Sequence, residues 1–225
     1  MDLIVLENVS KDFRVGHDTI PAVRNATLAV ARGTFVSIVG HSGSGKTTLL
    51  SLIGGMVTPS SGRVLFDGED ISAWAGDALS EYRCEKVGFM FQSASLLPIL
   101  TAKENLLLPA AFRPRRPPDG IEQRAEELLR AVGLSDKANA HPSQLSGGQQ
   151  RRVAIARAFM NMPELILADE PTGDLDEETE SEMMQFFQRM NAEHGTTFIM
   201  VTHNSDLASR ASQRLRMHQG KLASV

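Results

Sequence analysis

Eight residues of this chain, Gly40-His-Ser-Gly-Ser-Gly-Lys-Thr47, have the types and spacing that grip a phosphate, G-x-x-x-x-G-K-S/T. Glycines let backbone N–H groups turn inward around phosphate oxygens, because no Cβ blocks the turn. A helix opening at the end of such a loop adds unpaired N–H donors and a partial positive charge. Lys46 supplies a point charge for β- and γ-phosphates, and Thr47 offers a hydroxyl to Mg²⁺. A second candidate is the run Leu165-Ile-Leu-Ala-Asp169-Glu170, an apolar strand ending in two acids. Read alone, it also fits a strand exit with solvated carboxylates. Beside a complete phosphate loop, Asp169 is placed to hold Mg²⁺ and Glu170 to polarise an attacking water, a role worth about 10²–10⁴-fold in rate. Alternation along the strand would send Glu170 to the face opposite Asp169.

A third feature is Leu145-Ser-Gly-Gly-Gln149 before a helical stretch at 150–159. Ser146 with Gly147 and Gly148 at a helix start makes another anion site by the same backbone logic. Taken alone, it is an N-cap serine with two flexible residues. A nucleotide has one γ-phosphate, however, and Lys46 already claims it. Two such sites in one chain imply that each nucleotide is gripped by two chains, which a head-to-tail pair with two-fold symmetry satisfies.

These groups need elements to carry them. Apolar runs bounded by turn residues predict strands at 3–9, 23–30, 34–39, 64–66, 87–91, 165–168 and 196–201. Residues 215–217 and 222–225 around Gln219-Gly220 read as a hairpin. The phosphate loop falls where it must, after the strand at 34–39 and before a helix at 45–55. Residues 121–132 carry apolar positions at helical spacing. A helix is expected near Asp176, with Asp176, Glu177 and Glu178 in its first turn; its Met183, Phe186, Phe187 and Met190 read as core. The block 93–159 is mainly helical and broken by prolines, with a loop at 113–118. A β-rich chain so interrupted predicts a helical lobe inserted in an α/β core.

Composition sets outer bounds. The chain has 225 residues, 42% apolar and 22% charged, ordinary for a globular protein of one domain with or without an inserted lobe. Its net charge of −4 argues against a general nucleic-acid binder. No apolar run is long enough to span a bilayer, and the first residues lack the basic start of a signal peptide. The single cysteine, Cys84, excludes an intrachain disulfide and reads as a buried or half-buried thiol. These features together predict a cytosolic protein.

With these motifs in order, the chain resembles an ATP-binding subunit of the ABC (ATP-binding cassette) superfamily, from about residue 3 to the end. Gly40–Thr47 matches its Walker A loop and Leu165-to-Glu170 its Walker B with catalytic glutamate. Gln92 matches the Q-loop, Leu145-to-Gln149 the signature, Gly173-Asp-Leu-Asp176 the D-loop, and Thr202-His203 the H-switch. Phe13 stands where the family places an aromatic that stacks on adenine. The resemblance implies an α/β P-loop NTPase fold, the ABC ATPase core, with an N-terminal antiparallel β subdomain. The core would comprise residues 1–92 and 160–225, and the inserted helical subdomain 93–159. It implies ATP hydrolysis at a dimer interface, with ATP and Mg²⁺ as ligands. Catalysis would fall to Glu170, His203, Gln92 and Lys46. Nucleotide contacts would come from Phe13, Gly40, His41, Ser42, Gly43, Ser44, Gly45, Lys46, Thr47 and Thr48 of one chain. Ser146, Gly147, Gly148 and Gln149 of the other would complete them. Thr47, Gln92 and Asp169 would face the metal.

Within the family, Phe91-Gln92, Ser95-Leu-Leu-Pro98, Glu104-Asn105 and Glu170-Pro-Thr-Gly-Asp-Leu-Asp176 resemble the branch serving lipoprotein release and macrolide export (LolD-like and MacB-like). That branch more often has Asn at the positions of Asp174 and near Ala94. The resemblance implies a separate integral membrane permease as partner, with this chain on the cytoplasmic side of a bacterial inner membrane. Residues 96–100, Leu-Leu-Pro-Ile-Leu, are a candidate docking segment. Other readings are a regulatory cassette in a cell-division complex (FtsE-like) or a soluble ATPase acting on ribosomes or DNA. The latter usually carries two cassettes or a long coiled-coil insert, whereas this sequence has one cassette and no heptad block between Lys46 and Ser146.

Overall fold

The computed structural model describes residues 1–114 and 119–224, so residues 115–118 of the loop expected at 113–118 lie outside the described residues. The chain opens with a two-stranded ribbon, β1 (Asp2–Val15) and β2 (Asp18–Ala31), followed by β3 (Phe35–Val39) and helix α1 (Lys46–Ile53). Next come β4 (Ser61–Phe66), β5 (Glu69–Asp70), α2 (Gly76–Glu81) and β6 (Val87–Met90). Three helices follow, with no intervening strand among the described residues: α3 (Ala102–Ala111), α4 (Ile121–Ala131) and α5 (Gly147–Ala158). The chain closes with β7 (Leu165–Asp169), α6 (Glu177–His194), β8 (Thr197–Thr202), α7 (Ser205–Ser209), β9 (Gln213–His218) and β10 (Lys221–Ser224). No helix among the described residues is long and apolar enough to cross a membrane.

Two sheets result. One is antiparallel, in the order β2-β1-β4-β5; the other has six strands, β10-β9-β3-β8-β7-β6. In the larger sheet β9, β3, β8, β7 and β6 run parallel, and β10 turns back on β9 as the expected hairpin. A parallel sheet must be covered on both faces, and the strands show it residue by residue. Ile199 and Val201 of β8, with Leu165 and Leu167 of β7, face the core shared with α1 and the antiparallel sheet. Their neighbours Phe198, Met200, Ile166 and Ala168 face the core shared with α3 to α6. The second core is aromatic: Phe35 stacks on Phe198 at 4.8 Å, and Phe159 meets Phe186 edge-on at 5.0 Å. Phe187 is fully buried beside them, so truncating it to alanine is expected to cost about 3–5 kcal/mol.

Helix α6 begins where its sequence predicts. Asp176 caps it by accepting from the Thr179 N–H at 3.0 Å, with Glu177, Glu178 and Glu180 in the first turn. Met183, Phe186 and Phe187 are buried and Met190 packs against them. Cys84 is half-buried, as expected, and burial pushes its thiol up, away from thiolate.

Parallel strands all end at one edge of the sheet, and that edge positions the site. Val39 pairs with Thr202, Val201 with Asp169, and Ala168 with Met90. The residues following these ends therefore emerge side by side.

Candidate functional site

The emerging segments enclose a cleft of about 510 Å³. Its walls are His41 to Thr48 after β3, Gln92 after β6, Asp169 and Glu170 at the end of β7, and His203 after β8. Ile20, Pro21 and Ala22 of β2 close one side.

The loop after β3 is locked by close backbone approach. A Cβ at Gly40 would stand 2.3 Å from the Met217 carbonyl oxygen. At Gly45, φ is +105° and a Cβ would stand 2.2 Å from the Ala22 carbonyl oxygen. Both positions thus demand glycine. The Gly220 N–H donates to the Ser44 carbonyl at 2.9 Å and holds the loop from β9–β10. Lys46 is buried, and its ammonium donates to the carbonyls of Gly40 at 2.7 Å and His41 at 3.2 Å. It spans the loop's mouth, where a phosphate chain would sit. Ser44 Oγ is buried in the same loop without a hydrogen-bond partner among the described residues. An orphaned hydroxyl there fits a phosphate oxygen.

Thr47 Oγ1 donates to Asp169 Oδ2 at 2.7 Å. One hydroxyl and one carboxylate at the cleft floor are the donor set that suits Mg²⁺, which keeps most of its shell as water and phosphate oxygen. No group of three or more His, Cys, Asp or Glu side chains that could cage a metal exists among the described residues. A metal here would therefore depend on the nucleotide for its remaining oxygens.

Glu170 corrects one expectation. It does not continue the strand with alternating direction: β7 ends at Asp169, and Glu170 takes φ +47°, the left-handed region. Such a conformation in a non-glycine residue costs on the order of 1–3 kcal/mol and persists only where its surroundings hold it. Here they do. The Glu170 N–H donates to the Val201 carbonyl at 3.0 Å, Thr202 Oγ1 donates to Oε2 at 3.1 Å, and His203 Nδ1 lies 3.0 Å from Oε1. Glu170 therefore lines the same cleft as Asp169.

Two sequence-predicted groups stay outside the cleft. Phe13, 39% exposed, pairs across the ribbon with Ile20, which does line the cleft; the Lys11 ammonium sits 5.2 Å from the Phe13 ring centroid. Ser146, Gly147, Gly148 and Gln149 form the start of α5 and contribute nothing to the cleft. Ser146 Oγ accepts from the Gln149 N–H at 3.2 Å, and the Gln149 side chain accepts from the Ser146 N–H at 2.9 Å, a capping box. A Cβ on Gly147 would meet nothing within 4 Å, and one on Gly148 only the Leu175 Cδ2 at 3.5 Å. Neither has positive φ. Among the described residues no close contact requires glycine at either position.

Sequence reading missed Arg151 and the bracing role of Thr202. Arg151, 3% exposed, donates Nε to the Pro171 carbonyl at 2.7 Å and Nη1 to that of Gln92 at 2.6 Å. It also donates to the carbonyls of Phe91 and Glu170. Burial pulls its pKa down, opposed by Asp174, Asp169 and Glu170. Thr202 is marked in the sequence as the residue before His203, but nothing there signals its hydrogen bond to Glu170.

A phosphate loop, a strand-end Asp–Glu pair and a following histidine on a P-loop core with a helical insertion define an ATP-hydrolysing cassette. The comparisons give the family. The family model described as ABC transporter matches residues 23–173, more than half the chain. ABC transporter ATP-binding protein YtrE of Bacillus subtilis is 40% identical over 224 residues, covering 98% of this chain and 96% of that protein. Macrolide export ATP-binding/permease protein MacB of Syntrophobacter fumaroxidans is 44% identical over 221 residues, 98% of this chain. The chain spans about a third of the MacB relatives it matches. Among solved structures, the dimeric bacterial ABC transporter cassette MJ0796 superposes with TM-score 0.93 at 41% identity, covering 98% of both chains. A dimeric post-hydrolysis state of that cassette, bound to ADP and Pi, gives TM-score 0.92 at 40% identity. This chain belongs to the ABC transporter family, as an ATP-binding, ATP-hydrolysing cassette.

Proposed function

We propose that two copies of this chain close head to tail over two ATP molecules, each copy completing its partner's reaction centre, and that closure drives a separate membrane permease. The observation that carries this reading is the separation of the two anion sites. Lys46, Thr47, Gln92, Asp169, Glu170 and His203 converge on one cleft, while Ser146 to Gln149 lie outside it, with glycines that no close contact among the described residues requires. Dimeric assembly of the MJ0796 cassette adds support.

In this scheme the backbone of Gly40 to Thr48, with the side chains of His41, Ser42 and Ser44, cradles the phosphates, and Phe13 stacks on the base. Lys46 exchanges its loop carbonyls for β- and γ-phosphate oxygens. Thr47, Asp169 and Gln92 would hold Mg²⁺, which would supply positive charge against the phosphate oxygens. Glu170 orients the attacking water and accepts its proton; Thr202 and His203 fix the carboxylate for that task. His203, largely exposed, is also free to reach the γ-phosphate. The partner's Ser146 hydroxyl and Gly147–Gly148 N–H groups donate to the same phosphate. Phosphoryl transfer needs mainly this positioning and charge stabilisation.

The proposal also divides the chain into a core (1–92 and 160–225) and a helical lobe (93–159), with the permease docking between them. Of the 96–100 segment, Leu96 packs inward while Ile99 projects freely. The better dock is an apolar groove of about 550 Å³ formed by Met56, Phe89, Phe91, Leu108 and Phe112, walled on one side by the core and on the other by α3. Phe91, Phe112 and Met56 are exposed, and Phe91 adjoins Gln92 of the cleft. Its occupant is a short apolar cytoplasmic segment of a permease of the lipoprotein-release or macrolide-export type, supported by the MacB likeness. That arrangement sets the chain at the cytoplasmic face of the membrane.

Glu170→Gln tests the scheme. It keeps the cleft's shape and removes the base, so hydrolysis falls by about 10²–10⁴-fold while ATP still binds. Sedimentation with Mg-ATP then gives a dimer. A monomer with and without Mg-ATP overturns the head-to-tail reading.

A further inference from the structure

Helix α5 begins with Ser146 as its N-cap, and Arg151 lies five residues on. The four acceptors of its guanidinium are main-chain carbonyls on two separate loops: Phe91 and Gln92 after β6, Glu170 and Pro171 after β7. Among the described residues no carboxylate side chain accepts from it. The planar fork of arginine can span two loops at once; a lysine ammonium, a single point, cannot. Further along α5, Arg157 donates to the carbonyls of Ala94 and Ser95, both at 3.0 Å. Residues 91–95 are thereby stapled to α5 at two places, and Arg151 extends the staple to Glu170.

We propose that Arg151 is a positioning residue that joins the water-orienting loops of a chain's own cleft to the helix whose N-terminus reads the partner's nucleotide. Phosphate arriving in the cleft moves Gln92 and Glu170, and the guanidinium carries that displacement to Ser146 and Gly147. In the dimer of the proposed function, on which this consequence rests, the two sites then fire in concert. Within a single chain the link exists without any dimer.

The single-chain link is tested directly. Hydrogen exchange is followed on the wild-type chain, diluted to the monomeric range, with and without a non-hydrolysable ATP analogue. Binding slows amides at 40–48 in the cleft and, through Arg151, those at 146–150. In Arg151→Lys the first effect stays and the second is lost. Equal slowing at 146–150 in both proteins, or none in the wild type, overturns the link; this result does not depend on whether dimers form.

Steady-state kinetics gives the second reading. Arg151→Lys and Arg151→Gln lower kcat by about tenfold or more with KM for ATP within about threefold, since only alignment of the reacting groups is lost. The Hill coefficient of wild-type hydrolysis falls toward one in both. Full kcat and cooperativity in Arg151→Lys would mean that charge alone suffices and would remove the fork from its role. Wild-type stability of Arg151→Lys, checked by melting, separates misalignment from misfolding.

Discussion

Glu170 Oε1 lies 3.0 Å from His203 Nδ1, so the residues that follow strands β7 and β8 by one position meet side chain to side chain. The second carboxylate oxygen accepts from Thr202, the last residue of β8. Two consecutive residues, the last of β8 and the one after it, thus fix both oxygens of a glutamate whose own backbone is held at φ +47°. The carboxylate is aimed by its neighbours rather than by its own main chain.

Replacing Thr202 by valine removes one of these holds and keeps the volume. The Asn204 N–H also loses its acceptor, the Thr202 hydroxyl, at 3.0 Å. A hydrogen bond to a charged group is worth about 1.5–3 kcal/mol, so kcat is expected to fall by about tenfold or more. KM should stay within about threefold, because the phosphate contacts are untouched. Wild-type kcat in Thr202→Val would mean that His203 aims Glu170 alone.

Gly147 offers a separation of stability from activity. It starts α5 and its Cβ position is empty, so Gly147→Ala loses no internal contact. Alanine favours helix over glycine by up to about 1 kcal/mol, and the melting temperature is expected to hold or rise. ATP-dependent dimerisation and hydrolysis should fall by about tenfold or more, since the methyl occupies the space a phosphate must approach. Undiminished hydrolysis would remove the need for close approach at this point.

Phe112 stands 71% exposed at the rim of the apolar groove. Phe112→Asp puts a charge where a permease segment is proposed to lie, at little expense to the chain itself. The variant should lose co-purification with its permease from membranes and keep ATPase activity in solution. Retained co-purification would move the dock elsewhere.

At the opposite edge of the large sheet, Glu164 bridges Lys86 at 2.6 Å and Arg32, which also reaches Asp67 at 2.9 Å. Burial alone would push the Glu164 carboxyl up; hydrogen bonds from Lys86 and Arg32 outweigh it and hold the group below the usual range. A depressed folded value stabilises the protein above the unfolded pKa, near 4.3 for glutamate, and the gain is lost as pH falls through the folded value. Being partly exposed, the bridge is worth on the order of 1 kcal/mol at most. Glu164→Gln should therefore unfold at lower urea at pH 7, with the difference shrinking as pH drops below about 5. ATPase activity at pH 7 should be unchanged, because the bridge lies at the edge remote from the cleft. A pH-independent difference would assign the loss to packing.

The buried centre of this fold was legible because its strands are short apolar runs, and four of them (β3, β6, β7 and β8) end on or close to residues with chemistry. The ribbon is longer than its pattern announces: β1 and β2 extend past Val9 and before Val23 through Lys11, Asp12, Arg14 and Asp18, a stretch in which no side chain is buried to mark a face. Helix α2 has no buried residue and so left no stripe. The phosphate loop, Asp169 and His203 were legible because their chemistry resides in residue type. Arg151 was not, because the carbonyls it binds are common to every residue, and main-chain partners leave no trace in a sequence. The turn of Glu170 was hidden for a similar reason: it depends on hydrogen bonds from a strand thirty residues away.

The ladder that levels the strand ends has an implication for how this scaffold tolerates change in length. One residue inserted within β8 would raise His203 by about 3.3 Å and swing it to the wrong side of the sheet, with every reacting group still present. A substitution in the same strand perturbs packing locally; an insertion dislocates the whole constellation. Added or deleted residues are best absorbed where strands begin, as around Gly195, while the segments leading into the cleft behave as fixed gauge blocks.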